Sequence, residues 1–100
     1  MRPRKLWVER EFEYGRPVWM FPLLLERLRG TPARIEDMIL NLDPETLTFK
    51  PGGSWSIHET IGHLSVVEGL WLKRLDDYDA GRDELIPADM SNASTEEAGF

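Results

Sequence analysis

The sequence predicts an all-α protein whose centre is a pair of long amphipathic helices. Apolar residues recur at spacings of three and four along residues 21–42 and again along residues 57–78, the period of a helix that buries one face. Ser56 and Glu59 have the S-x-x-E spacing of a capping box at the start of the second helix. Because a short loop separates the two helices, we expect an antiparallel hairpin.

Composition and charge are those of a single globular domain. The chain has 100 residues, of which 41% are hydrophobic and 30% are charged, and this length accommodates one domain. The net charge of −6 argues against a nucleic-acid surface, because such a surface needs clustered Lys and Arg side chains to meet phosphates.

Neither a membrane span nor a disulfide framework is expected. The longest run without a charged or polar residue, 17–25, contains two prolines and is much shorter than the roughly 20 residues that cross a bilayer. The chain has no cysteine, which excludes disulfides and thiolate chemistry and is compatible with a reducing compartment. We therefore expect a cytoplasmic protein that binds neither nucleic acid nor membrane.

Residues 1–20 show no clear period, and we interpret them as an N-terminal arm. Glycine and proline residues interrupt any long regular element there. Arg2, Arg4 and Lys5 form a short basic cluster. It is too small for a phosphate-binding patch, so we expect a solvated end.

The first helix contains Pro32, which permits two interpretations. In one, Thr31 is an N-cap and Pro32 opens a new helix, where its missing N–H costs nothing. In the other, a single helix is kinked where Pro32 removes a hydrogen bond. The apolar stripe keeps its phase from Leu28 to Ile35, which favours the single helix.

Local signals also define the boundaries that follow. Asp43 and Pro44 end the first helix and indicate one further short turn, with the aspartate as cap and the proline at the first position. Residues 48–53 are a loop with glycine and proline turn residues. The second helix is predicted over residues 57–80, and Gly81 is a natural C-cap.

The second helix carries an alternating four-three apolar repeat that is typical of a bundle seam. Val67 and Leu70 widen this apolar face, as expected for a helix that contacts two neighbours. The predicted seam residues are Ile57, Ile61, Leu64, Trp71, Leu75 and Tyr78.

Residues 81–100 are polar and turn-prone. Ser94 and Glu97 repeat the S-x-x-E spacing, which indicates either the start of a third helix or a chance match in a polar tail. An acidic run at the end of the second helix opposes the helix macrodipole, so we interpret it as a solvated face. Its members are Asp76, Asp77, Asp79, Asp83 and Glu84.

Three side chains on the second helix are candidates for chemistry. His63 lies at the edge of the apolar face, and His58 points about 140° away from it, so one helix does not bring them to a shared metal. A lone histidine at a bundle edge is either a ligand or a structural residue. Glu68 occupies a seam position and needs an arginine partner, a metal-bound water or solvent, because an unpaired buried carboxylate is costly.

Two segments of the chain resemble the DinB-like (DinB/YfiT) family. The more specific segment is 55–64, with the pattern W-S-I-x-E-x-x-G-H-L, followed by Glu68; the weaker one is 24–34, LLERLRGTPAR. The resemblance implies a four-helix bundle, of which residues 21–80 are the two-helix first half.

In that family a divalent metal, commonly nickel or zinc, is bound by three histidines. The resemblance makes His63 the ligand from the second helix, and the other two come from an H-x-x-x-H on the fourth helix. No histidine follows His63, so one copy of the chain does not complete the site. Family activities implied by the resemblance are metal-dependent hydrolysis and thiol-dependent transfer, in which the metal activates water or a thiol.

Two hypotheses for function follow. The chain is a DinB-like hydrolase or thiol transferase domain with an incomplete metal site at His63, a candidate catalytic Glu68 and a small-molecule substrate. Alternatively, it is a non-catalytic interaction module whose seam is covered by a second copy. We expect a homodimer, or the missing helices of a longer protein, to complete the bundle, because a lone helical hairpin buries too little surface.

Overall fold

The structure, a computed structural model, describes residues 6–100, apart from the side chain of Trp7. These residues form four α-helices, linked by turns and short 3-10 segments, and include no strand. The helices are α1 (Phe21–Ile39), α2 (Pro44–Thr48), α3 (Ile57–Asp79) and α4 (Ala93–Ala98). The predicted all-α class is confirmed.

The chain divides into two units, the first ending at Leu40 and the second running from Asn41 to Phe100. The antiparallel pairing of the two long helices stays a prediction. Within residues 6–100, a helix with the length and apolarity needed to span a membrane does not occur. The predicted solvated end at Arg2, Arg4 and Lys5 lies outside the described residues.

Helix α1 is continuous through Pro32, as the phase of its apolar stripe predicts. A proline cannot donate to the carbonyl four residues earlier, so one backbone bond is missing there. Nearby side chains add bonds in the same turn: the Thr31 hydroxyl and the Arg34 guanidinium both donate to the Arg27 carbonyl, at 3.1 and 2.7 Å.

Helix α2 is the predicted short turn. The carboxylate of Asp43 accepts from the Thr46 backbone N–H at 2.7 Å, and Pro44 occupies the first helical position. The bond from this N–H holds the pKa of Asp43 below its ordinary value, because it favours the charged carboxylate. Helix α2 packs against α3 within the second unit.

Helix α3 begins at the capping box and ends before Gly81, as predicted. Gly81 has φ +66°, the left-handed conformation that glycine adopts without a Cβ penalty. Its N–H donates to the Tyr78 carbonyl at 3.1 Å, and the Arg82 N–H donates to the Asp77 carbonyl at 3.1 Å. The chain therefore turns back along α3.

Asp77 departs from the solvated face predicted for the acidic run. Its side chain is buried, accepts from the Ile86 N–H at 2.8 Å and lies 3.4 Å from Arg82 Nε. Arg74, one turn earlier, donates to the Ile86 carbonyl at 3.0 Å and stacks on the Trp71 ring at 4.8 Å. These contacts fix the returning segment against α3, so Asp77 is a structural residue.

Helix α4 forms where the second S-x-x-E spacing indicated a helix, but with a different cap. Ser94 lies inside the helix, and the N-cap is Asn92, in a left-handed conformation with no side-chain cap bond. The carboxylate of Asp89 accepts from Ser91 and from the Ala93 N–H instead. Glu97 takes no part in capping α4, because the N-cap lies two residues earlier than the motif places it.

No apolar side chain among the described residues is buried. The predicted seam of α3 is largely open, with Leu64 exposed by 44% and Trp71 by 49%. Ile61, Val67 and Leu70 are half-buried. Within the second unit, residues 41–100, the apolar face of α3 is therefore only partly covered.

Candidate functional site at the start of α3

The start of α3 is fixed by reciprocal hydrogen bonds. The Ser56 hydroxyl accepts from the Glu59 N–H at 3.0 Å, and the Glu59 carboxylate accepts from the Ser56 N–H at 3.1 Å. This is the capping box that the sequence predicts. Lys50 lies 3.1 Å from the other oxygen of Glu59. The Ser56 N–H, chiefly, and then Lys50 hold the pKa of Glu59 below its ordinary value.

His63 is half-buried on α3 and contacts two side chains, those of Thr95 and Trp55. Its Nδ1 lies 2.9 Å from the hydroxyl oxygen of Thr95, and its ring centroid lies 4.9 Å from that of Trp55 at a tilt of 45°. No described residue hydrogen-bonds to Nε2. The ring therefore has one engaged nitrogen and one without a protein partner.

Helix α4 covers this region of α3. The indole N–H of Trp55 donates to the carboxylate of Glu96 at 2.9 Å, the residue next to Thr95. The ring of Phe100 lies so close to Gly62 that a Cβ added there would overlap the ring atoms. Gly62 thus permits a close approach of the chain end to α3 that any larger residue would block.

A pocket of about 220 Å³ lies between the cap of α3 and α4. Lys50, Glu59 and Glu96 bring charge to its wall, and each carboxylate already has a partner. The remaining lining is a mixture of aromatic and small residues, namely Trp55, Thr95, Gly99 and Phe100.

The structure does not bring the other two candidates to His63. His58 is exposed and faces the ring of Phe100 at 6.3 Å, edge to face. Glu68 is exposed and has no hydrogen bond or ion pair within residues 6–100. At about 100° per residue it lies roughly 140° around α3 from His63. The solvent option for Glu68 is therefore the one that the structure supports.

Four side chains around the start of α3 were missed by the sequence reasoning. Thr95 and Glu96 lie inside the S-x-x-E motif of the tail, which drew attention as a helix start and not as a contact to α3. Phe100 and Lys50 carried no local signal at all. Each contacts a residue far away in the sequence, and helical periodicity predicts contacts only between residues three or four positions apart.

A protein-family comparison decides the classification: the family model described as the DinB superfamily matches residues 27–98. The chain belongs to the DinB superfamily. No curated protein matches it, and no solved structure matches it. The match covers most of α1 and the whole of α3 and α4, and it includes both His63 and Thr95.

The described residues of this DinB-like domain supply one metal ligand, His63, and not a complete metal site. Among residues 6–100, no three His, Cys, Asp or Glu side chains are grouped closely enough to bind a metal ion. The imidazole of His63 does suit coordination, because metal-bound histidines engage their second nitrogen with a protein partner and leave the other free. Further ligands would have to come from groups that these residues do not bring together.

Proposed function

We propose that the chain is the His63-bearing part of a cytoplasmic, metal-dependent DinB-like enzyme, a hydrolase or thiol transferase acting on a small molecule. The observation that supports this is the state of His63, with Nδ1 engaged by Thr95 and Nε2 without a partner. Nickel and zinc are the proposed metals, since the family resemblance implies them. Glu68 stays a candidate catalytic carboxylate, predicted from the sequence alone.

Metal titration tests the proposal directly. We expect isothermal calorimetry with Zn²⁺ and Ni²⁺ to show binding in the micromolar range, weaker than a complete three-histidine site because one copy supplies one histidine. His63→Ala should abolish it. His58→Ala is the matched control, because it removes the other histidine of the same helix and should leave binding unchanged.

Two outcomes would overturn the metal proposal. One is a folded protein, checked by circular dichroism, that binds neither metal. The other is equal loss of binding in His58→Ala and His63→Ala, which would indicate nonspecific association of metal with surface histidines.

The exposed seam favours a second candidate function, a non-catalytic interaction module that forms a homodimer. Leu64, Trp71 and Leu75 are exposed on α3, and uncovered apolar faces of this kind mark protein contacts. Light scattering on a sizing column should then give twice the chain mass of 11.6 kDa.

Substitution of the seam separates dimerisation from general solubility. Trp71→Glu with Leu75→Glu should convert the dimer to a monomer, because two buried charges would be unpaired in the interface. Ser65→Glu adds a charge to an exposed position of the same helix and should leave the dimer intact. A monomeric wild-type chain would rule out the homodimer.

A further inference from the structure

Helix α4 is held against the start of α3 by few contacts, and most of its surface is exposed to solvent. Thr95 is the buried residue of this six-residue helix, at 5% exposed, and the others are exposed. The Thr95 hydroxyl oxygen lies 2.9 Å from Nδ1 of His63, and Glu96 accepts from the Trp55 indole at 2.9 Å. These two side-chain hydrogen bonds are the polar anchors of α4 within the described residues.

Little apolar surface fastens the residues that follow α4. The Phe100 ring packs on Gly62 and faces His58 at 6.3 Å, but it remains 43% exposed. Stabilisation by burial is proportional to the apolar area removed from water, and a region with few buried apolar contacts opens at a low free energy. We therefore expect α4 and Phe100 to separate from α3 more easily than α3 itself unfolds.

The helical conformation of α4 depends on this docking. Isolated helices shorter than about 12–15 residues are marginal in water, and α4 has six residues. Its N-cap, Asn92, makes no side-chain cap bond, and the carboxylate of Asp89 accepts from the Ala93 N–H at 3.2 Å instead. Release of α4 from α3 and loss of its helix are therefore one event.

We propose that α4 is a lid that opens by local unfolding and uncovers the Trp55 and His63 rings while α3 stays folded. Helix α3 has 23 residues and its own capping box, so its backbone bonds do not depend on α4. The wall of the pocket of about 220 Å³ includes Thr95 and Glu96, so opening also exposes this pocket to solvent. The lid requires no metal at His63, and its test is therefore separate from that of the proposed function.

Amide hydrogen exchange of the full chain in increasing urea tests the opening. The dependence of an opening free energy on urea scales with the surface that the opening exposes. We expect the α4 amides to exchange through an opening with little urea dependence, and the central α3 amides to need global unfolding, with a steep dependence. If the α4 amides share the urea dependence of α3, or have no protection at all, the proposal is overturned.

A matched pair of tryptophan substitutions tests the indole anchor. Trp55→Phe keeps an aromatic ring but removes the N–H that Glu96 accepts, and it should raise exchange of the α4 amides by about 2- to 10-fold, the effect of losing one hydrogen bond. Trp71→Phe is the control, because Trp71 stacks with Arg74 on α3, and it should leave α4 exchange unchanged. Equal α4 exchange in the wild type and Trp55→Phe would contradict the proposal, as would an equal rise in both variants.

Access to the covered ring is measured with diethyl pyrocarbonate, which modifies histidine nitrogens. His58 is exposed and provides an internal reference for the half-buried His63. Glu96→Ala removes an anchor that does not involve His63, and it should raise the modification rate of His63 by about 2- to 10-fold relative to His58. Glu97→Ala, the control, removes a neighbouring charge and should have no effect. An unchanged His63 rate in Glu96→Ala would overturn the lid, whether or not the chain binds a metal.

Discussion

The indole N–H of Trp55 donates to the carboxylate of Glu96 at 2.9 Å, across 41 positions of sequence. This bond joins the residue just before the cap of α3 to the middle of α4. Glu96 neighbours Thr95, so the same short helix contacts both aromatic rings at the start of α3. The local structure around His63 therefore includes two contacts from α4, one to each of these rings.

Removal of the Glu96 side chain should release the Trp55 indole. In Glu96→Ala we expect one indole N–H resonance to move and to exchange faster with water, at a stability cost of about 1 kcal/mol because the bond is exposed. Glu96→Gln keeps an acceptor oxygen and should behave like wild type. Glu97→Ala is the control for loss of charge in α4. If Glu97→Ala has the same effect, the bond is not the cause.

Gly62 and Gly69 form a matched pair on α3. Alanine is the better helix former by up to about 1 kcal/mol, and no atom lies within 4 Å of a Cβ at Gly69, so Gly69→Ala should stabilise the chain. At Gly62 the new Cβ would meet the Phe100 ring. Gly62→Ala should lose that gain and displace Phe100, which hydrogen exchange of the α4 amides would report. Equal stabilisation by both substitutions would contradict the close approach.

The capping box should contribute measurable stability. Ser56→Ala removes the acceptor for the Glu59 N–H and should lower the free energy of unfolding by about 1 kcal/mol, as measured by urea denaturation. Ser54→Ala changes an exposed serine whose side chain makes no hydrogen bond within residues 6–100, and it should be neutral. A neutral Ser56→Ala would argue against the cap.

Glu59 should make this stability depend on pH. Its pKa in the folded chain is lowered, so the ionised carboxylate stabilises the fold above its ordinary pKa, and the contribution is lost as pH falls through the folded pKa. Glu59→Gln keeps a cap acceptor but cannot ionise. The advantage of wild type over Glu59→Gln should therefore be present at pH 7 and disappear on acidification. An advantage that is constant from pH 7 to strongly acid conditions would contradict this assignment.

Two neighbouring aspartates on α3 should respond in opposite directions. Asp77→Ala leaves the Ile86 N–H without its acceptor and should cost about 1–3 kcal/mol. Asp79 is exposed in the last turn, where a negative charge opposes the helix macrodipole. Asp79→Ala should be neutral or slightly stabilising in the same denaturation series. An Asp77→Ala variant as stable as Asp79→Ala would contradict the structural role of the bond to Ile86.

The parts of this fold that the sequence predicts are those decided by residues close together. The Ser56–Glu59 box, the Asp43 cap and the Gly81 terminus each need a contact over three or four positions, and all are present. The continuity of α1 through Pro32 followed from the phase of a stripe. Each is a local choice of backbone conformation.

The contacts that define the candidate site are not local, and the sequence alone does not reveal them. Thr95 and Phe100 contact α3 after the chain reverses at Gly81, and Asp77 binds the returning segment at Ile86. The S-x-x-E match at Ser94 named the right region but the wrong cap, since Asp89 lies outside the motif window. Burial of Asp77 was missed for the same reason, because its partner Ile86 lies beyond the helix.

The distance in sequence between His63 and Thr95 also has a consequence during translation. The two residues are 32 positions apart, and a ribosome adds roughly 5–20 residues per second. The capping box needs residues only three positions apart, whereas the hydroxyl that engages His63 is synthesised roughly 2–6 s after His63 itself. The start of α3 is therefore complete in sequence before α4 exists, so the docking of α4 onto His63 is the later of the two events in assembly.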